Sequence, residues 1–189
     1  MLAGLRQPSA WAGLALRAAI LDRTSYTAIA EKSTLTGPAL LLSLLGTAAV
    51  ALVESSAGGP GFLNVFIGRY LLWALLVLVL HGTARLLRGK ATFTQSFRVL
   101  GFVHAIQLAS LLRFIDPIAP LVPLGVAIVS LIAAWLGICV AHRLRGWRTL
   151  ALPVLYVALL LVGAWGLASL LDGDGFTLGA LAKQYGLLP

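Results

Sequence analysis

The sequence predicts an all-α, polytopic membrane protein: five transmembrane helices preceded by an amphipathic helix lying in the membrane interface. Three observations lead there. First, 60% of the 189 residues are hydrophobic, only 11% are charged, and the mean hydropathy is +0.97. Soluble domains carry about a quarter charged residues, and a chain of this size cannot hide so much apolar surface in one water-facing core. Second, the apolar residues fall into five runs separated by short polar segments. Third, the basic residues cluster in alternate segments. The organisation expected is an N-terminal amphipathic segment (1–35), a five-helix transmembrane domain (36–172) and a short tail (173–189).

The elements follow in order. Residues 10–32 have helical periodicity, with Trp11, Leu14, Ala18 and Leu21 on one face and Arg17 and Arg23 elsewhere. Such a helix suits the headgroup boundary. Arg17 breaks the stretch Trp11–Leu21, which closes on Asp22-Arg23, so no cleavable leader is expected. The first span runs from about Thr36 to Val53, with Pro38 suited to a helix start. Ser55-Ser56-Ala57-Gly58-Gly59-Pro60-Gly61 is turn chemistry. The second span begins near Phe62 and ends near Arg85. The third, Val99–Leu112, falls short of the ~20 residues that a bilayer requires of a helix, and it contains His104, Gln107 and Ser110. The fourth runs from Pro117 to Ala141, its entry made irregular by Pro117, Pro120 and Pro123. The fifth runs from Leu150 to Leu171, with Pro153 early in it.

Charge decides whether the third run crosses. Of the 14 Lys and Arg residues, all but Arg69, Arg113 and Lys183 lie in the N-terminal segment, the second loop or the fourth loop. Basic residues collect on the cytoplasmic side of short loops. The second and fourth loops share a side only if the third run crosses. The N-terminus is therefore expected inside, the C-terminus outside, and the location the cell membrane.

Several function classes lose support. No basic stripe with interleaved aromatics suggests nucleic acid. No phosphate-binding glycine pattern or nucleophile elbow is present. None of the six carboxylates, Asp22, Glu31, Glu54, Asp116, Asp172 and Asp174, lies mid-span, which disfavours an ion-coupled transporter. The lone Cys139 cannot form an intrachain disulfide. No enzyme activity and no resident metal are expected.

The candidate functional residues are few. Ala39, Ser43, Thr47 and Ala51 recur every four residues in span one, and Ala133, Gly137 and Ala141 do so in span four. Small faces allow close helix approach in lipid, either within the chain or against another subunit. His104 and Gln107 share a helical face and form the polar intramembrane pair. A neutral His104 imidazole is suited either to an interhelical hydrogen bond or to ligating a haem or chlorophyll-type pigment. His81 and His142, near the cytoplasmic ends of spans two and four, are expected to reach water or headgroups. Trp147 suits an interfacial belt, while Trp73, Trp135 and Trp165 fall within spans as packing residues.

Three stretches carry a family resemblance: Tyr26-Thr27-Ala28-Ile29-Ala30-Glu31 with Gly37-Pro38; Gly89-Lys90-Ala91-Thr92-Phe93 with Phe97-Arg98-Val99-Leu100-Gly101-Phe102; and Trp135 with Gly146-Trp147-Arg148-Thr149-Leu150-Ala151. In these the chain resembles the Yip-domain family of five-span, Ypt-interacting-protein-like membrane proteins, over residues 20–172. The resemblance implies a non-enzymatic protein that organises membranes and partner proteins, with no catalytic residue to carry over. One departure is that relatives often have a proline shortly after the Gly-aromatic pair, where this chain has Ile106; the missing kink predicts a straighter third span.

The expected function is therefore that of a non-enzymatic integral membrane protein that scaffolds or organises partners, in contact with lipids and other membrane subunits. The alternatives are an accessory subunit of a respiratory or photosynthetic complex, with His104 toward a pigment or haem, and then a small-solute or lipid transporter.

Overall fold

The computed structural model describes residues 8–58 and 60–172, with side chains through Gly163, and every element among them is helical. The order is α1 (Pro8–Ala19), α2 (Arg23–Glu31), a 3-10 turn (Ser33–Leu35), α3 (Thr36–Ser56), α4 (Phe62–Leu86), α5 (Phe93–His104) running directly into a 3-10 helix (Ala105–Phe114), α6 (Val122–Ala141) and α7 (Trp147–Asp172). Four helices are long and apolar enough to cross a bilayer: Ser33–Ser56, Phe62–Leu86, Phe93–Phe114 and Val122–Ala141. Trp147–Gly163 of α7 is a fifth, shorter apolar helix.

α3 is the central helix. In its apolar window 56% of residues are buried, against 17% for α4. It packs on α4, on α5 and on the 3-10 helix after α5. Its small residues permit this, since Ala39, Ser43, Thr47 and Ala51 are all buried. At one close crossing a Cβ on Gly101 of α5 would lie 2.6 Å from the Ala39 carbonyl oxygen. α4 is peripheral, and Leu63, Ile67, Leu71, Leu75 and Leu78 present its outer face.

The third span is longer than the apolar run suggests. A capping box opens α5: Thr92 Oγ1 accepts from the Gln95 amide, and Gln95 Oε1 accepts from the Thr92 amide. The helix therefore starts at Phe93. From Ala105 onward the backbone is 3-10, which rises about 2.0 Å per residue rather than 1.5 Å. Ile106, where relatives often have proline, lies in this 3-10 stretch. The stretched backbone makes Phe93–Phe114 about 38 Å long at those rises. Span four is shorter than expected, because Pro117 and Pro120 precede the helix and Pro123 occupies its first turn.

The N-terminal segment differs most from expectation. One helix over 10–32 becomes two, broken at Leu21 (φ 66°). Asp22 caps α2, accepting from the Thr24 amide at 3.0 Å and from the hydroxyls of Thr24 and Ser25 at 2.8 and 2.7 Å. These bonds, Ser25 first, hold its carboxyl below the usual carboxylate range. The Tyr26 hydroxyl folds α2 back on α1 by donating to the Ala18 carbonyl at 2.5 Å. Burial, with Asp22 adding, pushes that phenol up to about 12. The face expected to lie in the membrane interface packs on the chain instead: Trp11, Leu14, Ala18 and Leu21 join the core formed by α5 and α6. Leu16 and Ile20, 67% and 71% exposed, form the outer face of α1.

The basic segments meet at one end of the bundle. The Lys90 amide donates to the His142 carbonyl at 3.1 Å, joining the α4–α5 loop to the end of α6. Arg143 pairs with Glu31 of α2 at 3.5 Å. Arg98 reaches from α5 to the Ala30 carbonyl at the end of α2 and to Thr36 Oγ1. A guanidinium there satisfies free carbonyl groups and complements the helix dipole. The second and fourth loops thus lie on one face, which requires the third span to cross.

Candidate functional site: an intramembrane slot and a histidine clamp

Within this bundle His104 and Gln107 face in different directions of contact. His104 ends α5 where its own carbonyl abuts Gly46 of α3. Its Nε2 lies 3.1 Å from Thr47 Oγ1, which also donates to the Ser43 carbonyl at 2.9 Å. With the Thr47 proton on that carbonyl, His104 donates through Nε2 and is the Nε2–H tautomer. The Trp73 ring of α4 sits 5.1 Å from the imidazole centroid. Gln107 Nε2 donates to Ser130 Oγ of α6 at 3.3 Å. The expected polar pair is therefore split: His104 ties α5 to α3, and Gln107 ties the 3-10 helix to α6.

The small residues of span four are also internal. Ala133 is buried, a Cβ on Gly137 would lie 2.6 Å from Val99 Cγ1 and 3.3 Å from the Tyr26 ring, and Ala141 is half-buried. Trp73 and Trp135 are half-buried, and Trp135 Nε1 donates to the Thr149 carbonyl at 2.7 Å, locking α6 to the start of α7. Trp147 is exposed at the basic end. The side chain of Trp165 and the tail 173–189 lie outside the described residues.

His104 and Gln107 nevertheless border one space. A cavity of about 390 Å³ lies between α4, α5, α6 and α7. Val77, Leu80, Leu100 and Leu152 line its end toward the basic face. Thr47, His104, Gln107, Ser130 and Arg69 line its other end. A second, smaller pocket lined by Glu54, Arg69 and Arg113 adjoins that end and shares Val50, Arg69, Gln107 and Ala127 with it. Arg69 Nε donates to Glu54 at 3.1 Å. The slot is thus graded, apolar toward the basic face and polar toward the far one.

A second polar cluster, unanticipated from the sequence, sits at the basic end. Ser96 Oγ of α5 is 2.9 Å from His81 Nδ1 of α4 and 2.9 Å from His142 Nε2, just past the end of α6. His142 is 1% exposed, contrary to the expectation that it reaches water, and His81 is half-buried beside it with ring centroids 5.1 Å apart. Gly89 leaves the room: a Cβ there would collide with His142 Nδ1. That nitrogen is buried without a hydrogen-bond partner. An unpaired acceptor is tolerated better than an unpaired N–H, so Nε2 carries the His142 proton and donates to Ser96 Oγ, which also lies 3.4 Å from the Thr92 carbonyl. Burial first, then His81 and Arg85, pushes the His142 titration down to about 4. No group of three or more His, Cys, Asp or Glu suited to a metal assembles among the described residues.

A family model, the Yip1 domain, matches residues 20–167. The chain belongs to the Yip1-domain family. No curated protein and no solved structure matches it. In this Yip1-domain chain the first two stretches that suggested the family meet each other and α6. Tyr26 of α2 abuts Gly137, Gly101 crosses Ala39 beside Pro38, Arg98 holds Ala30, and Gly89 covers His142. The match runs from the α1–α2 turn into α7, so the clamp and the slot residues from Thr47 to Tyr156 lie inside it.

Proposed function

We propose that this Yip1-domain protein is non-enzymatic and organises partner proteins in the membrane, with the outer face of α4 as its main lateral contact surface. The observation that carries the reading is the contrast between α3 and α4: both are apolar and long, yet α4 buries only 17% of its window within the chain. Leu63, Ile67, Leu71 and Leu75 recur every four residues and are exposed, giving a continuous stripe on which a second helix can pack. The polar groups deep in the bundle are occupied with one another, through His104–Thr47, Gln107–Ser130 and His81–Ser96–His142. That is the arrangement of struts rather than of a nucleophile with its base. The clustering of basic residues at one end supports placing that end, with the N-terminus, in the cytoplasm and the protein in the cell membrane.

The test is photo-crosslinking in native membranes from a probe at Leu71 or Leu75, with a probe at buried Ala49 as control. A discrete protein adduct from the α4 positions, and none from Ala49, is expected. Adducts to lipid alone from both α4 positions would overturn the reading.

A further inference from the structure

We propose that the slot between α4, α5, α6 and α7 binds one anionic single-chain amphiphile, or one acyl chain of an anionic lipid. The hydrocarbon lies along the slot and the acidic head sits at Arg69 and Arg113. This inference is independent of the organising role, because it concerns the interior of the bundle and not its outer face.

Size comes first. Arg69 and Leu80 mark the two ends of the slot on α4, about 16 Å apart at the α-helical rise. A cavity that runs along about three turns of α4 suits an extended hydrocarbon chain rather than a compact solute. Polarity comes second. The deep end, formed by Val77, Leu80, Leu100 and Leu152, offers nothing to hold water, and apolar cavities stay dry. An empty slot would forfeit the dispersion contacts of its walls. At this depth the surrounding solvent is hydrocarbon, and exposed Leu72 and Leu131 on its walls place the slot within reach of it.

Charge selects the head. Basic residues are scarce away from the basic face, yet both arginines described there, Arg69 and Arg113, line the small pocket that adjoins the slot's polar end, and Arg69 lines the slot as well. Glu54 balances Arg69. Arg113 is in no ion pair among the described residues. The mouth therefore keeps a net positive charge beside the Gln107 amide, and a carboxylate or phosphate complements it.

The experiment uses the full chain, delipidated in neutral detergent, with quenching of Trp73 and Trp135 as the readout, since both rings line the slot. The probes are dibromostearate, a dibrominated phosphatidylglycerol and the methyl ester of dibromostearate. Saturable quenching by the fatty acid or by the phospholipid is expected, and the stronger of the two identifies the source. The methyl ester and the Arg113→Gln variant are each expected to weaken binding by tenfold or more. Ala134→Phe, which fills the slot, is expected to abolish quenching. Arg113 is exposed, so its replacement tests the claim even where Ala134→Phe fails to fold. No saturable quenching, equal quenching by the methyl ester, or binding unchanged in Arg113→Gln would overturn the proposal.

Discussion

Ser96 shows how one small side chain can hold three helices. Its hydroxyl lies between His81 and His142, so Ser96→Ala leaves two ring nitrogens unpaired at once. Leaving a buried polar group unsatisfied costs about 1–3 kcal/mol. Ser96→Ala is therefore expected to lower the thermal midpoint in detergent by an amount corresponding to that range, and Ser96→Thr to retain more of it. A midpoint unchanged by Ser96→Ala would mean that the hydroxyl contributes nothing to joining α4, α5 and α6. His142 gives a pH dependence whose sign is fixed. Its folded pKa, about 4, lies below the ordinary histidine value of 6.5, so folding favours the neutral ring. The associated stability is complete above about pH 6.5 and is lost as pH falls toward 4. Thermal unfolding at pH 7.5 and pH 5 is expected to show the wild type less stable at the lower pH. His142→Gln, which keeps a donor near the Nε2 position, should show a smaller loss. Equal losses in the two proteins would contradict the assignment.

The helix ends supply a different test. α1, α4 and α6 each close with paired bonds to carbonyls five and three residues back, with Leu21, Arg88 and Arg143 in the left-handed region. That conformation suits glycine, and a side chain there costs roughly 1–2 kcal/mol. Arg88→Gly is expected to stabilise the protein by about 0.5–1 kcal/mol once the greater freedom of glycine in the unfolded chain is counted. A lowered thermal midpoint would be the contrary result. At the α3–α5 crossing, Gly101→Leu forces a side chain into the Ala39 backbone, which cannot move aside as a flexible side chain would. Overpacking of this kind costs typically 1–3 kcal/mol, and reduced yield of folded monomer on gel filtration is the expected readout. The elements themselves were largely legible. Hydropathy located α3, α4, α6 and α7 because each is a long apolar run. The third span was legible only through charge, because Phe93–Arg98 reads as polar and because a 3-10 stretch leaves no mark in an apolar count. The break at Leu21 was hidden for a related reason: leucine, unlike glycine, gives no signal for positive φ.

For the whole molecule, what was hard to see in the sequence was adjacency. His81, Ser96 and His142 are far apart in the chain, and each alone looks like a polar residue near a span end. The available signal was their common depth: all three lie within a few residues of the basic ends of α4, α5 and α6. Likewise His104 and Gln107 were legible as a polar pair on one helix, but not as two struts to different partners, since spacing along a helix does not name the neighbour. The slot was illegible because it is made by what four helices leave unfilled. The convergence of Glu31, Lys90, Arg98 and Arg143 at one end is the feature on which the architecture depends. It follows when both spans between these loops, Phe93–Phe114 and Val122–Ala141, cross, an even number that returns the chain to the same side.

Cysteine labelling measures this directly. In a Cys139→Ala background, single cysteines at Lys90, Arg145, Gly58 and Asp116 are exposed to a membrane-impermeant maleimide in intact cells and in lysed membranes. Cysteines at positions 90 and 145 should react only after lysis, and those at positions 58 and 116 in intact cells. Labelling of positions 90 and 145 from opposite sides would contradict the third crossing and the fold built on it.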